Sequence, residues 1–163
     1  MKTLNDCVQE YKKMLKYSDI KTAYHGIMKF MMDLRNHFEN KYPDFNVSGS
    51  MYTGFMDFTY FTLSPESFKH KKLRIVIIFI HEKLRFEVWL TGYNKKIQEK
   101  YWRLCKEHSW SEYRIPTSLK KTSSILEYIL SYDPDFDNLK ALTEKIDLGT
   151  MKFIKDVEAF LNG

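Results

Sequence analysis

Two acidic residues stand inside stretches that otherwise read as β-strands: Asp57 in GFMDFTYFTL and Glu87 in LRFEVWLTGY. Strands disfavour Asp, and a carboxylate among β-branched and aromatic residues is partly desolvated, so each position needs a reason. Two roles suit such a group. Beside arginines and half out of water, its pKa is tuned by burial and charge, which is what acid–base or cation-holding work requires. The same group is equally a structural ion pair that satisfies the second face of a sheet. Pairing 73–80 with 85–91 across the four-residue turn His81–Leu84 places Leu73, Ile75, Ile77 and Phe79 on one face with Phe86, Val88 and Leu90. The other face then carries Arg74, Val76, Ile78, Ile80, Arg85, Glu87, Trp89 and Thr91, so Glu87 has Arg85 and Arg74 within reach. In a simple meander Asp57 and Glu87 lie two strands apart, about 10 Å, too far to share a metal ion.

Other chemical patterns are incomplete. HEKLR at 81–85 opens like a zinc-protease HExxH but has Arg85 where the second histidine must stand, and it lies at a strand end rather than on a helix. Cys105 and His108 are half a metal site without a partner pair. His25 and His37 fall on different faces of one helical segment. Ser48-Gly49-Ser50 reads as a turn or strand edge. No nucleophile elbow, phosphate loop or dinucleotide fingerprint occurs, and the residues suggest neither a metal centre nor a cofactor.

The clearest charge signal is basic. The chain carries a net charge of +5, and residues 69–121 hold 14 Lys/Arg against 5 Asp/Glu, whereas residues 122–163 hold 4 against 8. The run FKHKKLR supplies Lys69, Lys71, Lys72 and Arg74, and the following helical segment adds Lys95, Lys96, Lys100 and Arg103. Such a stretch can meet phosphates, with Trp89, Trp102, Tyr52, Tyr60 and Tyr93 available to stack bases. It can also be a solvated surface. A dipolar surface of this kind also suits association with a second copy, so a homo-oligomer is a further expectation.

The elements that would position these groups follow from periodicity. The length of 163 residues and 44% apolar content suit one α+β domain spanning 1–163. Residues 3–17 and about 20–40 are amphipathic helices, read as an N-terminal hairpin covering a sheet. Strands are expected near 46–52, 54–63, 73–80 and 85–91, giving a four- to five-stranded, largely antiparallel sheet. Asn94 caps a helix through His108, and 125–132 is open between strand and helix. Asp133–Pro134 is read as opening a helix to about Ile146, with a break at Gly149 and a last helix over 150–161. No run is long and apolar enough to span a membrane, the start lacks a secretory apolar core, and Cys7 and Cys105 show no disulfide spacing. A cytoplasmic location is the resulting expectation.

The stretches NKYPDFNVSGSMYTGFMDFTYF, FIHEKLRFEVWLTGYNKKIQEKYW and YDPDFDNLKALTEKIDLGTMKFIKDVEAFL resemble a family of small uncharacterised bacterial proteins, a domain of unknown function. That resemblance implies a bacterial, cytoplasmic, single-domain protein and no particular activity. In pattern only, LRFEVWLTG followed by an amphipathic helix is similar to restriction-endonuclease-like domains. There an Asp and an acid-x-Lys triplet hold Mg²⁺, but here the triplet is Glu87-Val88-Trp89 and the lysine is missing. The expectation is therefore a binding module with a degenerate nuclease-like fold contacting nucleic acid or another acidic partner. A small-molecule or protein-interaction face around Asp57, Glu87 and Trp89 is the alternative, and a Mg²⁺-dependent nuclease the third.

Overall fold

The computed structural model describes residues 1–163. The elements run α1 (Leu4–Tyr17), α2 (Ile20–Lys41), β1 (Asn46–Val47), β2 (Phe58–Ser64), α3 (Glu66–Lys69), β3 (Leu73–Ile80), β4 (Arg85–Gly92), α4 (Lys95–Glu107), β5 (Leu126–Tyr132) and α5 (Leu139–Asn162). The five strands form one antiparallel meander in the order β1-β2-β3-β4-β5. This is the α+β architecture expected from the sequence, with helices at both ends of a sheet. No helix is long and apolar enough to cross a membrane.

The β3–β4 hairpin has the expected register, with Ile75 opposite Leu90, Ile77 opposite Val88 and Phe79 opposite Phe86. Those residues join Phe61 and Leu63 of β2 and Leu126 of β5 on one face. The face is covered by Phe30, Met31, Leu34 and Phe38 of α2, Phe68 of α3, Tyr101 and Cys105 of α4, and Ile146, Phe153, Ile154 and Val157 of α5. Together they make a single cluster of 25 buried residues. Burial pushes the Cys105 thiol up to about 12, so it is a packing group rather than a nucleophile.

Gly92 ends β4 where α4 closes over the sheet. A Cβ there would lie 2.7 Å from the Gln98 backbone nitrogen and 3.1 Å from the Ile97 carbonyl carbon. These are backbone atoms and cannot rotate away. Gly92→Ala should therefore push the start of α4 off the sheet and cost about 2 kcal/mol, a typical overpacking penalty, read as a lowered urea midpoint with an unchanged slope. An unchanged midpoint would show that α4 does not hold this approach in solution.

Three local expectations are corrected and one open assignment is resolved. The hairpin of α1 and α2 does not cover the sheet: α2 does, but no residue of α1 is buried. The strand expected over 46–52 shrinks to Asn46–Val47, and Tyr52 rejoins the sheet by an isolated bridge to Tyr60. Between Tyr52 and β2 the chain turns sharply through left-handed residues Gly54 (φ 71°) and Met56 (φ 64°), which a ladder cannot accommodate, so the strand expected over 54–63 starts only at Phe58. Residues 126–132 are a strand, paired with β4 and irregular in register beside Phe86 and Glu87.

At the C-terminus one helix replaces two. Asp133 adopts φ 38°, so no helix starts there; Asn138 caps α5 by accepting from the Ala141 N–H. The helix runs unbroken through Gly149, where a Cβ would come 2.7 Å from Leu130 Cδ2. The glycine serves close helix–sheet packing, not helix termination.

Candidate functional site

The second face of the sheet carries no helix. Its centre is the apolar strip Val76, Ile78 and Ile80 of β3, with Tyr60 and Trp89 packed against it. Because strand side chains alternate, the cross-strand register lays this face out in rows. One row runs Tyr52, Tyr60, Ile78, Glu87, Ile129. The next runs Thr62, Val76, Trp89, Glu127, Arg114, the last joining the edge of β5 by a two-way backbone bridge.

Aromatic groups on this side are unroofed. The Tyr52 and Tyr60 rings lie 4.9 Å apart. Tyr93, just past β4, has the Arg74 guanidinium 4.4 Å from its ring centroid. Tyr52, Tyr93 and Phe58 are exposed, and Trp89 and Tyr60 are half-buried. The buried Nε of Arg74 has no hydrogen-bond acceptor. A desolvated guanidinium N–H without a partner normally costs free energy and is rare, so it marks a place where an acceptor would be welcome.

Glu87 sits at the middle of this face and is 2% exposed, far more buried than half-desolvated. Its Oε2 accepts from Arg85 Nε at 3.2 Å, and Trp89 Nε1 reaches Oε1 only at 3.5 Å, the outer limit of a hydrogen bond. A second carboxylate, not singled out from the sequence, lies directly across from Trp89 and diagonal to Glu87: Glu127, 3% exposed, accepts from the Arg114 guanidinium and the Ser124 hydroxyl. Its only sequence signal is an acid one residue after the apolar pair Ile125–Leu126 in a segment whose strand identity was open. Both carboxylates line a cleft of about 460 Å³ with Trp89, Arg85, Arg114, Lys83 and Lys121. Each of these two acids has an arginine, and with Asp57 and Glu82 also in the lining against Lys83 and Lys121 the cleft is formally charge-balanced.

Asp57 borders the same cleft but is not a mid-strand acid. It precedes β2, and its Oδ1 accepts from the Phe55 N–H at 2.9 Å and the Phe58 N–H at 2.7 Å. Those backbone donors hold its carboxyl below the usual range. Its role is to fold the 54–58 turn back into the sheet. Beside it Thr59 Oγ1, fully buried, lies 2.8 Å from His81 Nε2 and donates to the Thr53 carbonyl, tying this excursion to the β3–β4 turn. Burial lowers the His81 pKa, with the Asp57 charge opposing it, which favours the neutral ring.

The basic residues separate into groups. Arg74 belongs to the open face. Lys71 and Lys100 share a small cleft with Tyr101 and Phe160. Lys95 lies in another with Trp102, between the start of α4 and residues 117–123. Lys96 is exposed, Lys69 pairs with Glu66 and Arg103 with Glu99, while Lys72 turns the chain at φ 56°. Since α4 packs on the core face, Lys95, Lys96, Lys100 and Arg103 are carried by the layer opposite Trp89. Trp102 is half-buried, donates to the Pro116 carbonyl at 2.8 Å and has Lys106 over its ring.

A third polar cluster lies on the core side. Asp147 of α5, 3% exposed, is met by three groups from the end of α2: His37 Nε2 at 2.6 Å, Lys41 Nζ at 2.9 Å and Tyr42 OH at 2.6 Å. It is fully satisfied and holds two helices together rather than opening to a ligand. No group of three or more His, Cys, Asp or Glu side chains converges with the spacing of a metal site.

Residues 4–161 match the family described as a domain of unknown function, DUF7000, and the chain belongs to that family. No curated protein matches it in sequence, and no solved structure matches it.

Proposed function

We propose that this DUF7000 protein is a binding module whose working surface is the open face of the sheet, and that it takes single-stranded nucleic acid there. The observation that carries the reading is the unroofed set of rings, Tyr52, Tyr60, Trp89 and Tyr93, with Arg74 stacked on Tyr93 and its Nε lacking an acceptor. Flat aromatic groups on a sheet stack bases without regard to sequence, and cations beside them neutralise phosphates. Glu87 and Glu127 do not oppose this strongly, because Arg85 and Arg114 already compensate them. Lys83 and Lys121 border the cleft with no carboxylate partner.

The alternative is a small polar ligand in the cleft between Glu87, Trp89 and Glu127. Its support is the burial of both carboxylates, which fixes their orientation before any ligand arrives. Salt separates the two. Fluorescence anisotropy of labelled single-stranded DNA and RNA should report binding at ~50 mM salt that weakens roughly twentyfold by ~200 mM, the counterion release expected for about three phosphate contacts. A duplex of the same sequence should bind less well, since its bases are not free to stack. Absence of binding to either strand type at the lower salt removes the nucleic-acid reading and leaves the cleft.

A further inference from the structure

Helix α1 touches its own chain only where it meets α2. Its stripe Leu4, Cys7, Val8, Tyr11, Met14 and Leu15 follows helical spacing, yet all but the half-buried Leu15 are exposed, Leu4 by 81% and Tyr11 by 60%. At 14 residues it is near the length below which a helix alone is marginal in water, so its apolar stripe needs cover.

The body of the same chain presents an apolar groove of about 630 Å³ between the first turns of α2 and residues 133–139, with Ala23, Ile27 and Phe136 among its lining. Asp133 and Asp137 stand at this groove, while the second half of α1 carries Lys12, Lys13 and Lys16. None of these five charges has an ion-pair partner within the chain. We infer that two copies of the protein exchange α1, each laying the stripe of its helix into the groove of the other with the lysines against Asp133 and Asp137.

The link favours a partner over self-docking. Ser18 and Asp19 alone separate the helices; the Ser18 N–H and hydroxyl cap α1 on the Met14 carbonyl, at 3.2 and 2.6 Å, and the same hydroxyl accepts from the Ile20 N–H of α2 at 3.4 Å, so the link has no slack for α1 to fold back. The groove begins at Thr22, beside that exit. Two copies facing groove to groove about a two-fold axis therefore bring each arm to the other's groove, an isologous contact that closes and stops at two.

Light scattering on the full chain, over about 1 to 200 µM, tests this. The expected mass is twice 19.6 kDa. The variant Leu4→Glu with Tyr11→Glu, both at exposed positions, should be a monomer with the circular-dichroism melt of an intact core. A chain carrying Lys12→Glu, Lys13→Glu and Lys16→Glu should lose self-association. It should regain a dimeric mass when mixed with a chain carrying Asp133→Lys and Asp137→Lys. A monomer at every concentration overturns the exchange, whether α1 then lies in its own groove or awaits another protein. A dimer that survives the Leu4→Glu, Tyr11→Glu change overturns it as well.

Discussion

Replacing Asp147 with Ala should lower the unfolding free energy by about 3 kcal/mol, as removal of one partner from a buried charged network does. Three donors converge on this carboxylate, from positions 37, 41 and 42 at the C-terminal end of α2. Without it the Tyr42 hydroxyl loses its acceptor and α5 loses its polar tie to α2. Urea denaturation should show the midpoint falling by about 1.5 M at a slope near 2 kcal/mol/M. Asp147→Asn should lose less, because its carbonyl oxygen still accepts one bond. A fall below about 0.5 M for the alanine variant would mean that the network does not persist in solution.

The same cluster sets a pH dependence whose sign is fixed. Burial alone would raise the Asp147 pKa, but the bonds from Tyr42, His37 and Lys41 outweigh it and hold the carboxyl below its ordinary value. A group with a depressed folded-state pKa contributes its full stability above the unfolded value, about 3.9 for Asp, and loses it as pH falls through the folded one. Acid unfolding of the native protein should thus be steeper below about pH 4 than that of Asp147→Ala. Parallel acid limbs would remove Asp147 as the source.

The second large effect concerns the open face. Trp89→Leu and Tyr60→Leu keep apolar cover on Val76, Ile78 and Ile80 but remove the ring that a base would stack on. Each should weaken single-strand binding by about 1–3 kcal/mol, or roughly 5- to 150-fold, while the urea midpoint moves little. Arg74→Ala should reduce the salt slope as well as the affinity, because it removes a cation and not only a surface. Lys96→Ala, on the far layer, serves as the matched control and should leave affinity near that of the native chain. Equal losses for Arg74→Ala and Lys96→Ala would point to diffuse electrostatics and sink the sheet-face assignment.

Much of the fold was legible because its signals are local. The continuous apolar run 73–80, the alternating segment 85–91 and the short connection between them determined the hairpin, and the side-to-side alternation of strand side chains assigned both its faces. The apolar stripe of 20–40 determined the helix that covers the core, and Asn94 marked the start of α4, where its side chain accepts from the Ile97 N–H. Placing Glu87 with Arg85 and Trp89 on the face away from the core needed nothing beyond that alternation.

What the sequence alone left undecided depends on atoms far apart along the chain. Glu127 becomes a partner of Trp89 only once β5 adds to β4, a pairing across nearly 40 positions, and Arg114 arrives only with the bridge to β5. Asp147 lies about 110 residues from its donors, so its one local trace is a charge on the buried side of α5. Asp57 left the strand because Gly54 and Met56 turn left-handed, a backbone choice that side-chain periodicity does not encode. Gly149 read as a helix breaker by propensity, but the close approach of Leu130 makes a missing Cβ an asset there. The sequence also made α1 an amphipathic helix. Only the tertiary structure revealed that this face, apart from Leu15, is left uncovered within the chain, because helical periodicity specifies a face and packing alone supplies the partner.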